Sequence, residues 1–241
     1  VLAGNAGSRA PRCRDGGLTK DGTGTTTLTG DNAHTGVTTV LDGTLVLLGA
    51  DVQFQGETIG NAIADAGDVA VDTGATLQVD KTEAVLNLID GPNGGGDVQL
   101  GDNDLIILGD QANPFTGSIT GDEEVEVEEG ATFFSDGNIN SNVRNRGRFG
   151  GNPNITGNFT NEPGGTHAPG NSIGTTVIAG DYNENGTLEI EVNGSAVDES
   201  TESDLVDVNA GGQATIDAAA VINVLGVDGG DPELADGDTF K

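Results

Sequence analysis

Glycines that open short strands recur along this chain at a nearly constant step, and this spacing limits the fold more than any other feature of the sequence. Gly130, Gly147, Gly165 and Gly186 follow one another at steps of 17, 18 and 21 residues. Such a period is typical of a solenoid, in which each repeat forms one coil and buries its apolar side against the next. The spacing therefore predicts an all-β parallel β-helix with strands stacked coil upon coil.

Each of these glycines precedes a short run in which Thr and aliphatic residues alternate, the pattern of a strand with one buried and one solvated side. The chain has 41 Gly and 7 Phe but no Trp or Met. Because large aromatic side chains are scarce, a narrow aliphatic core shared by many similar coils fits this composition better than one globular core. The runs lie at Gly43-Thr44-Leu45-Val46-Leu47, 74–79, 130–134, 147–149 and 186–192.

A β-sandwich is the alternative fold that the sequence leaves open. Asn185-Gly186 and Asn193-Gly194 are dipeptides that favour two-residue hairpins, and a sandwich is built from such hairpins. Strands in a parallel β-helix instead pair with the equivalent strands of neighbouring coils, in parallel. The two folds therefore differ in strand direction, which the sequence alone does not fix.

The regularity weakens over 80–108, where we expect a short strand within 83–89 and a loop at 92–96. Acid and valine alternate over 123–129, which predicts a strand with one buried and one solvated face. We interpret Ile222-Asn223-Val224 as part of the final strand pattern and not as a helical turn.

The acidic surplus limits the partners of this chain. Its formal net charge is -30, from 39 acidic and 9 basic residues. Nucleic acid and anionic membrane surfaces are disfavoured, because binding to phosphate depends on Lys and Arg. We interpret most of the acid as a solvated coat, which would also suit a salt-rich habitat. Arg144, Arg146 and Arg148 alternate, so we expect them on one face of a strand, where they would either bind an anion or, as we favour, form an exposed basic stripe that offsets nearby acid.

Residues 16–48 carry a more specific pattern than strand alternation. A Gly-x-Leu-x-Lys-x-Gly-x-Gly start is followed by Leu-Thr-Gly at 28–30, Asn-Ala-His-Thr-Gly at 32–36 and Gly43-Thr44-Leu45. This order resembles the autotransporter-associated β-strand repeat. His34 stands where that family usually has Tyr, and Val37 replaces a common glycine. Neither change removes a turn glycine or a core aliphatic residue that the coil needs.

A second run, Ala168-Pro169-Gly170-Asn171-Ser172-Ile173-Gly174, looks like a segment near the C-terminal end of many autotransporter passengers. Together the two resemblances cover most of 16–48 and 140–241. They imply a right-handed β-helix at the cell surface of a Gram-negative bacterium or outside the cell. They also imply an outer-membrane β-barrel translocator in cis, outside this chain, and we therefore expect the chain to be a fragment of a longer rod.

The resemblance also sets the expected organisation and function. We expect an irregular segment over 1–15, which holds the single Cys13, and passenger repeats over 16–241, with 165–241 as the C-terminal passenger region. The expected function is a structural or adhesive surface stalk that assists secretion and folding and has no enzymatic activity. The alternatives are an adhesin that binds host or biofilm glycans or surface proteins, and a β-helix enzyme that acts on polysaccharides.

Residues that would support catalysis or metal binding are few. The two histidines, His34 and His167, stand where the family has Tyr or Leu, so we interpret both as structural. Ser172 lacks a Gly-x-Ser-x-Gly context and is interpreted as a turn residue. We expect no cofactor. The one metal hypothesis is Ca²⁺ at Asp102 and Asp104, in a stretch that echoes a calcium-binding β-roll, and the competing interpretation is ordinary turn acids.

Overall fold

The computed structural model describes residues 16–28, 37–47, 52–54, 57–59, 69–79, 85–88, 92–101, 104–107, 109–110, 114–193 and 203–226. These residues form 25 short strands and contain no helix. None of them therefore belongs to a helix of the length and apolarity that a membrane crossing requires. Segment 1–15, His34 and residues 227–241 lie outside the described residues, so the expectations about them stay predictions.

Face 1 of the molecule is a column of nine parallel strand segments, each hydrogen-bonded to its equivalent in the preceding coil. Its members are β2 (Thr25–Leu28), β4 (Thr44–Leu47), β8 (Thr76–Val79), β11 (Asp97–Gly101), the first halves of β13 (Ser118–Val127) and β15 (Asn138–Asn145), β17 (Asn154–Ile155), β20 (Thr175–Ile178) and β23 (Leu205–Val208).

Face 2 follows face 1 within each coil, because β13 and β15 run through both faces. A register shift between Thr120 and Glu124 separates the two halves of β13. The other members of face 2, all in parallel pairs, are β9 (Val85–Leu88), β12 (Asp104–Ile107), β18 (Phe159–Asn161), β21 (Tyr182–Glu184) and β24 (Ala214–Ile216).

Face 3 is a five-stranded parallel sheet, and a four-stranded parallel sheet lies at the other end of the chain. Two single parallel bridges connect these two sheets. One joins Gly94, at the end of the four-stranded sheet, to Phe115, and the other joins Phe115 to Ser135, which directly follows the first strand of face 3. Face 3 holds β14 (Thr132–Phe134), β16 (Arg148–Gly151), β19 (Thr166–Pro169), β22 (Thr187–Val192) and β25 (Val221–Gly226). The four-stranded sheet holds β1 (Leu18–Lys20), β3 (Thr38–Val40), β7 (Val69–Val71) and β10 (Pro92–Gly94).

Parallel pairing of strands from successive coils confirms the predicted solenoid and rejects the sandwich. Thr166 N–H donates to Gly147 O over 2.7 Å, and Thr187 N–H donates to Gly165 O over 2.9 Å, so the repeat glycines stack at one corner. The one antiparallel strand pair among the described residues joins β5 (Val52–Phe54) to β6 (Glu57–Ile59), and it stands apart from the other sheets.

The local predictions for the irregular stretch are partly confirmed. A strand lies within 83–89, since β9 pairs with β12, and Val125 and Val127 of the acid–valine run are fully buried. Ile222 to Val224 lie in β25. The loop predicted at 92–96 is wrong, because Pro92–Gly94 forms β10 and pairs in parallel with Val69–Val71. Stacking against the preceding coil outweighs the turn preference of Pro and Gly there.

The core is built from columns of like side chains, one residue from each coil. On face 1 seven aliphatic side chains stack in register with none of their surface exposed, and the half-buried Val208 extends the column. Fully burying one such side chain contributes about 1.5–3 kcal/mol. This aliphatic ladder consists of Leu45, Leu77, Val98, Ile119, Ile139, Ile155, Ile178 and Val208.

Side chains at the corner between faces 1 and 2 join one coil to the next. Asn142 Oδ1 accepts from Asn158 N–H over 2.9 Å, and Asn158 Oδ1 accepts from Asp181 N–H over 2.8 Å. Asp181 Oδ1 then accepts from Gln213 N–H over 2.9 Å. Each corner side chain thus satisfies a backbone donor that the bend leaves without a ladder partner.

At the last described coil the inward columns reach the surface. Ile216 is in register with buried Glu184, and Ile222 with buried Leu188, yet these two isoleucines are 53% and 52% exposed. Each coil of a solenoid is covered by its neighbour, so the described stack ends here without a polar cap.

We expect Ile139→Ala to lower the free energy of unfolding by about 2–5 kcal/mol, because Ile139 is fully buried between Ile119 and Ile155 of the adjacent coils. Urea denaturation followed by circular dichroism measures this change. The control is Asn140→Ala one residue away on the outward side, which we expect to change the stability by less than about 0.5 kcal/mol. Equal effects of the two substitutions would contradict the assignment of inward and outward faces.

Candidate functional site

The inward column of face 2 changes from apolar to polar part way along the stack. Ile107 and Val127 are fully buried and in register. The next three members are Asn145, Asn161 and Glu184, which are also fully buried. Buried polar groups of this kind are costly unless they are hydrogen-bonded, so their partners decide what this part of the core does.

These three side chains are hydrogen-bonded from one coil to the next. Asn145 Nδ2 donates to Asn161 Oδ1 over 2.8 Å, and Asn161 Nδ2 donates to Glu184 Oε1 over 2.6 Å. Gly186 N–H donates to the same Glu184 oxygen over 2.9 Å. This buried Glu184 oxygen thus accepts from both a side-chain amide and a backbone amide.

The second Glu184 oxygen continues the series towards face 3. Tyr182 O–H donates to Glu184 Oε2 over 2.6 Å, and His167 Nδ1 lies 3.1 Å from the Tyr182 oxygen. Because the Tyr182 hydroxyl hydrogen is used in the bond to Glu184, its oxygen accepts from Nδ1–H of His167. His167 Nε2 is then the acceptor for the Thr176 hydroxyl, 3.2 Å away.

We refer to these six residues together as the inner polar chain: Asn145, Asn161, Glu184, Tyr182, His167 and Thr176.

Aromatic rings enclose the histidine. The centroid of the Phe159 ring lies 4.5 Å from that of His167 and 5.1 Å from that of Phe149. Burial lowers the pKa of His167 from its usual range to about 3. Burial first, and then the bond to Glu184, raise the pKa of Tyr182 far above its usual range. His167 is therefore a neutral imidazole inside the core, with no exposed surface through which it would meet a substrate.

The Ala-Pro-Gly-Asn-Ser-Ile-Gly run forms the corner between β19 and β20. Gly170 has a φ of 80°, a conformation that favours glycine, and its N–H donates to Gly151 O over 2.7 Å. Gly174 N–H donates to Asp204 Oδ1 over 2.9 Å. Asn171 and Ser172 are exposed at the turn. Ala168 and Pro169 end β19, and Ile173 is half-buried.

A cavity of about 150 Å³ lies beside this turn, over the outward side of face 3. Arg148 and Glu189 form an ion pair of 2.6 Å in its lining. Asp204, also in the lining, accepts from Glu191 N–H over 2.7 Å as well as from Gly174. Burial raises the pKa of Asp204 to about 6, and its two backbone hydrogen bonds oppose that shift.

The three arginines form half-exposed ion pairs on the outside of the stack, but they do not share one strand face as predicted, because Arg144 lies in β15 of face 2, Arg146 at the corner and Arg148 in β16 of face 3. Arg144 lies 2.8 Å from Glu124, and Arg146 lies 2.7 Å from Glu128. With the pair of Arg148 and Glu189, each of the three arginines is offset by acid from another coil. Exposed pairs of this kind contribute little to stability singly.

The calcium hypothesis gains no support from the described residues. Asp104 Oδ1 accepts from Glu124 N–H over 3.1 Å, which makes it a corner residue that joins two coils. Asp102 lies outside the described residues. Within the part of the chain that the structure describes, no group of three or more His, Cys, Asp or Glu residues is placed to hold a metal ion.

Sequence reasoning missed the inner polar chain, although a signal for it exists. Three face 2 strands end in a polar residue, in Val143-Arg144-Asn145, Phe159-Thr160-Asn161 and Tyr182-Asn183-Glu184. Each begins with a buried apolar residue, so the alternation of strand side chains places the third residue inside as well. The shared pattern, and not any single residue, would have predicted a buried polar column.

In-register columns, parallel pairing and glycine corners define a parallel β-helix of the solenoid class. Residues 18–47 match the family model of the passenger-associated-transport-repeat. This segment contains β1 to β4, which form two successive coils, and the match confirms the resemblance to autotransporter passenger repeats. Comparison with curated proteins and with solved structures gives no match.

We expect the stability of the chain to fall on acidification because of His167. Its pKa is about 6.5 in the unfolded chain and about 3 in the core, so only the unfolded state gains a proton as the pH falls through 6.5. The contribution of His167 is therefore complete above pH 6.5 and is lost towards pH 3, by up to about 4–5 kcal/mol.

The measurement is urea denaturation of the wild type and His167→Phe between pH 7.5 and 3.5. Asp204 acts in the opposite direction, since its raised pKa disfavours the folded state above pH 6, but both proteins carry it. The difference between the two curves therefore isolates His167. A difference that does not change with pH would contradict the buried neutral imidazole.

We expect Tyr182→Phe to lower the free energy of unfolding by about 1–3 kcal/mol, because it leaves Glu184 Oε2 and His167 Nδ1 without the hydroxyl that joins them. Thermal unfolding monitored by circular dichroism measures the loss. Thr160→Val removes a hydroxyl from the outward side of β18 in the adjacent coil and serves as the control. A variant as stable as the wild type would show that the hydroxyl contributes nothing to this core.

Proposed function

We propose that this chain is a β-helical stalk segment of an autotransporter-type passenger on the surface of a Gram-negative bacterium. The observation that carries the proposal is the passenger-repeat match over 18–47, together with the ladder that continues from that segment. Leu45, inside the match, stacks on Leu77, and the same column continues to Val208. One architecture therefore extends from the matched repeat through most of the described chain.

The geometry suits a spacer. Neighbouring strands lie about 4.8 Å apart, so the nine strand segments of face 1 extend about 40 Å along the stack. Each inner coil is hydrogen-bonded on both sides, which resists bending and stretching. A rod of this kind holds whatever precedes it away from the cell, and an outer-membrane translocator in cis, outside this chain, would anchor it.

The proposed role in secretion depends on where folding begins. A solenoid folds from its most stable coils outward, since each coil needs a folded neighbour. The coils between Val143 and Leu188 contain the aromatic cluster and the inner polar chain, whose bonds link five strands, β15 and β18 to β21. We propose that these coils nucleate the stack after export and that the remaining coils add to them.

Adhesion is the second candidate function, and it would use an outward surface of the same rod. Enzymatic activity stays outside the proposal, because the described histidine, His167, is sealed in the core. The salt-rich habitat, the adhesin role and the absence of a cofactor remain predictions.

The proposal is tested by placing this chain, with an epitope tag before Val1, between a signal peptide and an outer-membrane translocator in a Gram-negative host. We expect whole cells to bind the antibody and the passenger to resist added protease. Ile155→Lys places a charge in the ladder and should give a displayed but degraded passenger, whereas the outward Asn154→Lys should behave like the wild type. Retention of the wild-type chain inside the cell, while a control passenger is displayed, would overturn the proposal.

A further inference from the structure

The outward side of face 1 differs in chemistry from the rest of the surface. Between β2 and β17 its side chains form two columns in which all but one member is uncharged. We name this surface the neutral face. Its first column is Thr25, Thr44, Thr76, Asp97, Ser118, Asn138 and Asn154, and its second is Thr27, Val46, Gln78, Gln99, Thr120 and Asn140.

Such neutrality is unusual for this chain. A fifth of all residues are charged, and the net charge is -30. On face 2 the outward positions of the same coils include Glu124, Glu126 and Arg144, which form ion pairs. The neutral face has Asp97 as its one charged member, so its composition is not that of a general solvated coat.

Acidic residues border the neutral face on both sides. Asp72 and Asp136 lie at the corner before face 1, and Asp104 and Glu124 at the corner after it. A polyanion lying on the neutral face would be repelled by both borders. A second copy of the chain packed face to face would bring acidic borders against acidic borders. The borders therefore exclude an anionic ligand, and the columns themselves offer a cationic ligand only Asp97, so the neutral face fits a ligand without charge.

Apart from Asp97 and Val46, the side chains of the neutral face carry hydroxyls and amides, which both donate and accept hydrogen bonds. Their bonds to one another are long: Asn154 Nδ2 lies 3.4 Å from Asn138 Oδ1, and Asn140 Nδ2 lies 3.5 Å from Thr120 Oγ1. Bonds of that length are weak, so these groups keep hydrogen-bonding capacity for a ligand. The exposed and half-exposed side chains repeat at about 4.8 Å over seven strands, an array of about 29 Å.

We propose that the neutral face binds an extended, uncharged polysaccharide that lies along the axis of the stack. Each coil contributes one or two hydrogen bonds, and the repetition across seven coils supplies avidity that no single coil has. This inference gives the adhesive candidate function a site and a ligand class. It does not depend on the stalk function, since a chain that fails the display test would still bind or not bind sugar polymers in vitro.

The experiment is affinity electrophoresis of the 241-residue chain in native gels that contain one polymer each. The uncharged probes are hydroxyethyl cellulose, glucomannan and dextran, and alginate is the anionic probe. We expect at least one uncharged polymer to retard the protein and alginate to have no effect. The test variant is Gln99→Glu with Asn140→Asp, which keeps side-chain size but adds two charges to the neutral face. We expect it to weaken binding at least tenfold.

The matched control is Asn183→Asp, the same change of chemistry on the outward side of face 2. It should bind like the wild type, and circular dichroism should give the same spectrum for all three proteins. Lack of retardation by every uncharged polymer would overturn the proposal, as would equal retardation of the double variant. Self-association that the double variant abolishes, without polymer binding, would assign the neutral face to a second copy instead.

Discussion

Hydrogen bonding between the backbones of successive coils is the interaction on which the whole structure depends. In a parallel stack each strand pairs with the strand before it and the strand after it, and the pairing holds equivalent residues at one level. Leu45, Leu77 and Val98 therefore form a column because their backbones are in register, not because leucine and valine select one another. The apolar core, the corner side chains and the outward columns all follow from this register.

The inner polar chain shows how such a stack gains specificity. Aliphatic columns tolerate a change of register, since one aliphatic residue packs nearly as well as another. Asn161 and Glu184 do not, because a shift would leave a buried carboxylate without its amide donors. Hydrogen-bonded polar networks of this kind add less stability than apolar packing but disfavour alternative pairings. The aromatic rings of Phe149, Phe159 and Tyr182 pack around the same coils.

The sequence predicted those features that depend on period and alternation. The steps between glycines predicted the repeating coils, and the acid–valine run predicted a strand with one buried face. The resemblance over 16–48 agrees with the family match. The sequence did not predict the strand at Pro92–Gly94, because Pro and Gly favour turns. This segment is a strand because it pairs with β7 of the preceding coil. The inner polar chain was missed because His167, Thr176 and Glu184 lie far apart in sequence and meet only once the coils are stacked.

The coils of face 1 differ greatly in contour length, although their inward residues remain in register. Asn138 pairs with Asn154, 16 residues on, whereas Thr44 pairs with Thr76 and Thr175 with Leu205, 32 and 30 residues on. The entropy cost of closing a loop grows only slowly with its length, so a longer coil can keep the same register as a shorter one. The register of the stack is therefore independent of the length of each coil, so a long coil can carry an additional element, as the β5–β6 hairpin lies between Thr44 and Thr76, while the ladder on either side is unchanged.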